Sequence, residues 1–216
     1  NYVASDVAAL LPVTNNFMFL EEDDTAIIEQ DKVAVFDGEG HEVTRKVTES
    51  KLSSEATERG EFKHFMLKEI YEQSSAVGNT LNQRIADGQV LENAFGPNTS
   101  IALDQVEAVH IVACGTSYHA GLVARYWIED MCRVPCTVEI ASEYRYRNPV
   151  VPNNTLFVTI SQSGETADTL AAIKKAKKFG ALTLGICNVV GSSIARETNC
   201  GIYTHAGPEI GVASTK

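Results

Sequence analysis

The chain has 216 residues, 44% hydrophobic and 21% charged, enough for one sizeable core or for one domain and part of another; no run of about 18 apolar residues exists to span a membrane. Its 28 acidic and 18 basic side chains leave a formal net charge of −10, which opposes polyanions and argues against nucleic acid as a partner, while a local pocket for one phosphate would survive it. Five cysteines without a CxxC pair and five histidines without a paired helical spacing argue against a metal site or a disulfide; the thiols read as reduced and buried in a cytoplasmic protein, with no cofactor indicated.

The chain starts at NYVASDVAAL without an initiator methionine and stops at GVASTK without a helix end or polar tail, so a piece of a longer protein is expected. From Phe17 to Val47, short alternating runs (FMFLE, TAIIEQ, KVAVFD, HEVTRKV) are separated by the turns Glu22-Asp23-Asp24 and Gly38-Glu39-Gly40. That pattern predicts antiparallel hairpins, the end of a β-rich unit over residues 1–47. Residues 48–61 carry one large apolar side chain among charges and small residues, too little burial to offset ordering, and are expected to form a linker. A second unit over residues 62–216 opens with a long amphipathic helix, because Phe62, Met66, Ile70, Val77, Leu81 and Ile85 fall on one stripe; Gly78 marks a weak point in it and Gly88 a stop.

After Val106 the pattern changes again. The apolar runs VHIVAC, CTVEI, TLFVTI, LTLGIC and CGIYTH alternate with the helical segments YHAGLVARYWIED, TADTLAAIKKAKKFG and SSIARET. Near-continuous apolar strands between helices predict an α/β fold, an open parallel-sheet sandwich covered on both faces. Ligands of such sheets bind beyond the carboxyl ends of the strands, where the strand order reverses.

Two strand-to-helix turns there are rich in hydroxyls: Cys114-Gly115-Thr116-Ser117 and Ser161-Gln162-Ser163-Gly164-Glu165-Thr166. Each puts hydroxyls and a glycine at a helix N-terminus, whose unpaired N–H groups and dipole favour an anion. One such turn is explained by helix capping through Ser117 or Ser163. Capping needs one side chain, however, and the surplus in SQSGET argues for a phosphate. The absence of GxGxxG and GxxxxGK[ST] disfavours dinucleotides and the nucleotide P-loop. Lys174, Lys175, Lys177 and Lys178 read as a solvated helix end.

The segments ACGTSY, EIASEYRYR, SQSGETADTL, ICNVVGSSIARE and EIGVASTK resemble the first sugar isomerase domain of the glutamine–fructose-6-phosphate aminotransferase (glucosamine-6-phosphate synthase) family. KEIYEQ is similar to that family's helical signature, although Ser74 stands where the family usually continues into proline, and ASDVAALLPVT with the strands to Val47 is similar to the end of its glutaminase domain. The resemblance implies a flavodoxin-like sugar isomerase domain preceded by an antiparallel β remnant of an N-terminal-nucleophile glutaminase domain. It implies conversion of fructose 6-phosphate and glutamine to glucosamine 6-phosphate, and a homodimer. By the same resemblance, Ser117, Ser161, Gln162, Ser163 and Thr166 hold the sugar phosphate, with Thr116, Val212 and Ser214 near the sugar. The nucleophilic cysteine, the Schiff-base lysine, the isomerising glutamate and the ring-opening histidine would lie outside this chain, which alone is expected to be inactive. A stand-alone sugar-phosphate isomerase or deglycase, and a sugar-phosphate-sensing module, are the alternatives.

Single residues near the turns have plainer readings. Glu165 is expected in the first helical turn, complementing the dipole, and Cys114 as a small core residue. His119 and His205 lie near the expected site without an assigned role, and none is assigned to Lys216.

Overall fold

The computed structural model describes residues 1–4, 7–50, 58–96 and 103–216 and separates into two units, Asn1–Glu61 and Phe62–Lys216. In the first, β1 (Asn16–Met18) pairs antiparallel with β5 (Val47–Glu49), and β2 (Thr25–Ile28), β3 (Val33–Phe36) and β4 (Glu42–Val43) form a three-stranded antiparallel sheet. The acidic turn before β2 is tied to the segment between β4 and β5 by Arg45, whose guanidinium donates to both Asp24 oxygens at 2.8 Å. Of the stretch expected as a linker, residues 51–57 lie outside the described residues, and Thr48 and Glu49 belong to β5.

The second unit opens with α1 (Phe65–Leu81), which runs through Ser74 and Gly78 without interruption. Its apolar stripe is where expected by period but not by environment. Met66, Ile70, Val77 and Leu81 are exposed, and the buried positions are Glu69 and Ala76. Ile85 is not on this helix. It starts a small hairpin, β6 (Ile85–Ala86) and β7 (Gln89–Val90), closed by Asp87 and Gly88 at φ +53° and +76°. Asp-Gly with both residues left-handed is the preferred two-residue hairpin turn, and it overrides a helical spacing matched by one residue.

Five parallel strands follow: β8 (Ala108–Ala113), β9 (Cys136–Ile140), β10 (Thr155–Ser161), β11 (Leu182–Cys187) and β12 (Cys200–Tyr203). Their order across the sheet is β9-β8-β10-β11-β12, the flavodoxin-like arrangement with its reversal between β8 and β10. Successive residues of β8 face opposite sides. Val109 and Ile111 pack with Leu156, Val158 and Leu184 against α2 (Gly115–Trp127), while Val112 and Phe157 pack against α3 (Ala141–Tyr146), α4 (Ala167–Lys178) and α5 (Ser193–Glu197). Burial on both faces is why these strands read as unbroken apolar runs.

The lysine-rich end of α4 is more than a solvated face: Lys175 donates to the carbonyl oxygens of Arg145 and Arg147, and Lys177 Nζ lies 2.9 Å from Glu197 Oε1. Among the described residues, no helix is long and apolar enough to cross a membrane. Of the cysteines expected to be buried, Cys136 and Cys187 are, Cys114 and Cys200 are partly buried, and Cys132 is exposed.

Phe157 is fully buried at the centre of the sheet, its ring 5.1 Å from that of Tyr144. Phe157→Ala is expected to lower unfolding free energy by about 3–5 kcal/mol in denaturant titration, and a cost below about 1 kcal/mol would show that this face is not the core.

Candidate functional site

At the carboxyl ends of β8 and β10 the chain turns into helices on opposite faces of the sheet, and the crevice between the two turns is a cavity of about 190 Å³. Thr116 and Ser117 line it from the first turn, Ser161 and Gln162 from the second. Ile160 and Ile186 supply apolar lining, and Asn188, Thr204 and Ala206 come from beyond β11 and β12. The last loop closes it with Glu209, Ser214 and Lys216.

The first turn is tighter than a cap. Cys114 is the residue before α2, with no side-chain capping bond, so Ser117 lies inside the first helical turn and does not cap. The ladder of α2 begins with Tyr118 N–H donating to Cys114 O at 3.3 Å. Gly115, Thr116 and Ser117 therefore bring N–H groups that precede the ladder to the end of the sheet, together with two hydroxyls. Cys114 is half-buried, its sulfur 3.9 Å from Thr169 Oγ1, consistent with a packing role.

In the second turn, part of the hydroxyl surplus folds the loop. Ser161 Oγ accepts from Gly164 N–H at 3.0 Å, and Ser163 Oγ accepts from Glu165 N–H at 3.2 Å. Gly164 has φ +68°, and a Cβ there would stand 2.0 Å from Ser192 Oγ, so the turn lies directly against the start of α5. Gly164 O accepts from Ile194 N–H at 2.9 Å, and the Glu165 carboxylate accepts from Ser193 N–H at 2.8 Å. Glu165 thus precedes α4, whose N-cap is Thr166, and serves the N-terminus of a different helix, α5. This differs from the expected first-turn placement, and no local pattern could show it, because the partner lies 28 residues away.

These turns and this strand order have counterparts in known proteins. Residues 102–216, over half of the chain, match the SIS domain. The chain belongs to the SIS-domain family. It is 58% identical over 217 aligned residues to the glutamine–fructose-6-phosphate aminotransferase (isomerizing) of Idiomarina loihiensis and 55% identical to that of Shewanella oneidensis, covering all of this chain. It spans 36% of the length of each of these relatives. Among solved structures, the C-terminal domain of glucosamine-fructose-6-phosphate aminotransferase from Francisella tularensis superposes with a TM-score of 0.70 at 52% identity, over 73% of this chain and 44% of that one.

Of the eight residues anticipated in the SIS domain, Thr116, Ser117, Ser161, Gln162 and Ser214 line this cavity. Ser163, Thr166 and Val212 are not among its lining residues; Val212 is half exposed, and its N–H points to Glu69 Oε2 at 3.3 Å. His119 and His205 do not line it either. Asn188, Glu209 and Lys216 were not anticipated. Asn188 ties the strand ends together, donating to Gly207 O at 2.7 Å and accepting from Ala206 N–H at 2.8 Å and Thr204 Oγ1 at 3.1 Å. Its signal was available: a polar residue directly after the strand LTLGIC, at the ligand end of the sheet. Lys216 is nearly buried, its side chain 3% exposed, and its ammonium donates to Glu72 Oε2 and Pro208 O at 2.8 Å each.

Cys187, whose sulfur would stand 3.7 Å from a Cβ at Gly164, is buried, and burial pushes its thiol up to about 11, so it is neutral and not a nucleophile. Replacing Gly164 by alanine combines a left-handed backbone with a clash, whereas Gly180, at φ +79°, has nothing within 4 Å of an added Cβ. Gly164→Ala is expected to cost at least about 1 kcal/mol more than Gly180→Ala in thermal melts. Equal costs would mean that the turn is not pressed against α5.

Proposed function

We propose that this SIS domain is the sugar-phosphate-binding part of a glutamine–fructose-6-phosphate aminotransferase, an enzyme that makes glucosamine 6-phosphate from fructose 6-phosphate and glutamine. The observation that carries the reading is the convergence of two hydroxyl-rich strand-to-helix turns on one cavity at the reversal of strand order. The names and high identity of the relatives support the same reading.

In this proposal the phosphate dianion sits between the two turns. Ser117, Ser161 and Gln162 solvate it together with the N–H groups at the start of α2, replacing water that the cavity excludes. Ser163 and Thr166 reach the same phosphate when the second turn tightens around it. Thr116, Val212 and Ser214 lie toward the sugar. Asn188 and the Glu72-paired Lys216 are candidate additions to that wall. The chain contributes binding and orientation, and the groups that open the sugar ring, form the Schiff base, shift the proton and release ammonia from glutamine lie elsewhere in the enzyme. Residues 1–47 are the end of the glutaminase domain, joined by residues 48–61. A homodimer belongs to the same reading, supported by the exposed apolar residues Met66, Ile70, Val77 and Leu81 on α1. A cytoplasmic location is supported by the cysteine usage, five residues without a CxxC pair.

Each cradle hydroxyl that meets the phosphate makes a charge-assisted hydrogen bond worth about 1.5–3 kcal/mol. Ser117→Ala and Ser163→Ala in the full-length enzyme are each expected to weaken fructose 6-phosphate binding by about ten- to a hundredfold in calorimetric titration. Unchanged affinity in both variants would refute the phosphate assignment.

A further inference from the structure

The residue that most shapes the far wall of the cavity is not in the cavity. Glu69, in the second turn of α1, is 2% exposed, and its two carboxylate oxygens accept from three consecutive backbone N–H groups of the final loop: Ile210 at 2.6 Å, Gly211 at 2.7 Å and Val212 at 3.3 Å. Burial alone would raise its pKa, but the three N–H donors and the Lys216 ammonium outweigh it and hold the carboxyl below its ordinary value. A buried carboxylate whose acceptor sites are filled by one loop acts as a template for that loop.

The loop lies against the helix backbone itself. A Cβ at Gly211 would stand 2.6 Å from Met66 N and 2.9 Å from Glu69 Oε2, so only glycine fits this approach. From the clamped segment the chain curls back. Glu209 accepts from Ser214 N–H and Lys216 N–H at 2.7 Å each, and Ser214 holds a left-handed φ of +64°. Gln73 donates to Thr215 O at 2.6 Å, and Glu72 takes the Lys216 ammonium. The helix segment KEIYEQ therefore contributes Glu69, Glu72 and Gln73 to one task, and the loop it holds delivers Glu209, Ser214 and Lys216 to the cavity opposite the hydroxyl turns.

We propose that Glu69 is a positioning residue for sugar recognition: it fixes the final loop so that Glu209, Ser214 and Lys216 form the sugar-side wall, while the phosphate side stands without it. This rests on the reading of the cavity as a sugar-phosphate site. The two walls share Asn188, which meets Gln162 O on one side and Ala206 and Gly207 on the other, but they rest on different supports: the hydroxyl turns are held by the sheet, Gly164 and α5, whereas residues 210–212 are held by α1. Loosening Glu69 therefore removes discrimination for the sugar without removing the anion site.

The test uses the full-length protein with Glu69→Gln, which keeps the shape but replaces an acceptor by a donor, and Gly211→Ala, whose methyl group would push the same loop away from α1. Fructose 6-phosphate and inorganic phosphate are titrated into each. The expected result is a loss of at least about tenfold for fructose 6-phosphate, with inorganic phosphate held within about twofold of the unmodified protein. The KM for fructose 6-phosphate should rise correspondingly. Should Glu69→Gln fail to fold, Gly211→Ala decides by itself. Equal losses for both ligands, or no loss for either, would overturn the positioning role while leaving the sugar-phosphate reading intact. An unmodified protein that binds neither ligand would instead overturn that reading, and the inference with it.

Discussion

Adjacent parallel strands β8 and β10 send their following helices to opposite faces of the sheet, and every feature of the site depends on that divergence. It leaves a crevice that no side chain of the core fills, at the end where helices α2 and α4 begin. Helix N-termini supply N–H groups and a positive dipole end without burying a charged side chain. That matters in a chain of net charge −10, where any phosphate dianion would have to be stabilised locally against the overall field. The nearest lysine in the cavity wall, Lys216, is already paired with Glu72, so it adds little net positive charge.

Three carboxylates near the cavity serve as scaffolding. Glu165 holds the start of α5, Glu209 closes the final loop on itself, and Glu69 fastens that loop to α1. In each case side-chain carboxyl oxygens accept from backbone N–H groups. The arrangement gives the cavity two walls of different origin. One is continuous with the sheet and inherits its rigidity. The other is a loop whose conformation is imposed from a helix at the opposite end of the domain sequence.

The sheet was legible because its strands are buried on both faces, which forces apolar residues at nearly every position, and because the runs of β8 and β10 end in small or polar residues at a helix start. The hydroxyl turns were legible for the same reason: a strand-to-helix turn needs few hydroxyls, and SQSGET has a surplus. What failed was long-range. The stripe on α1 has the right period, but periodicity reports only that a face is apolar, not that this chain covers it. Ile85 matched that period while the neighbouring Asp87-Gly88 encoded a hairpin. Glu69 had no role assigned from the sequence, and its partners lie 141 to 143 residues further along. Glu165 was misplaced by the same blindness, since a carboxylate beside one helix start can cap another.

The central claim is that the crevice between the turns after β8 and β10 is where a sugar phosphate binds. A crystal structure of the full-length protein with fructose 6-phosphate tests it most directly. The account predicts phosphate density within hydrogen-bonding distance of Ser117 and of the Ser161–Thr166 turn, with the sugar facing Ser214. Phosphate density elsewhere on the protein, with this crevice holding only solvent, would contradict it.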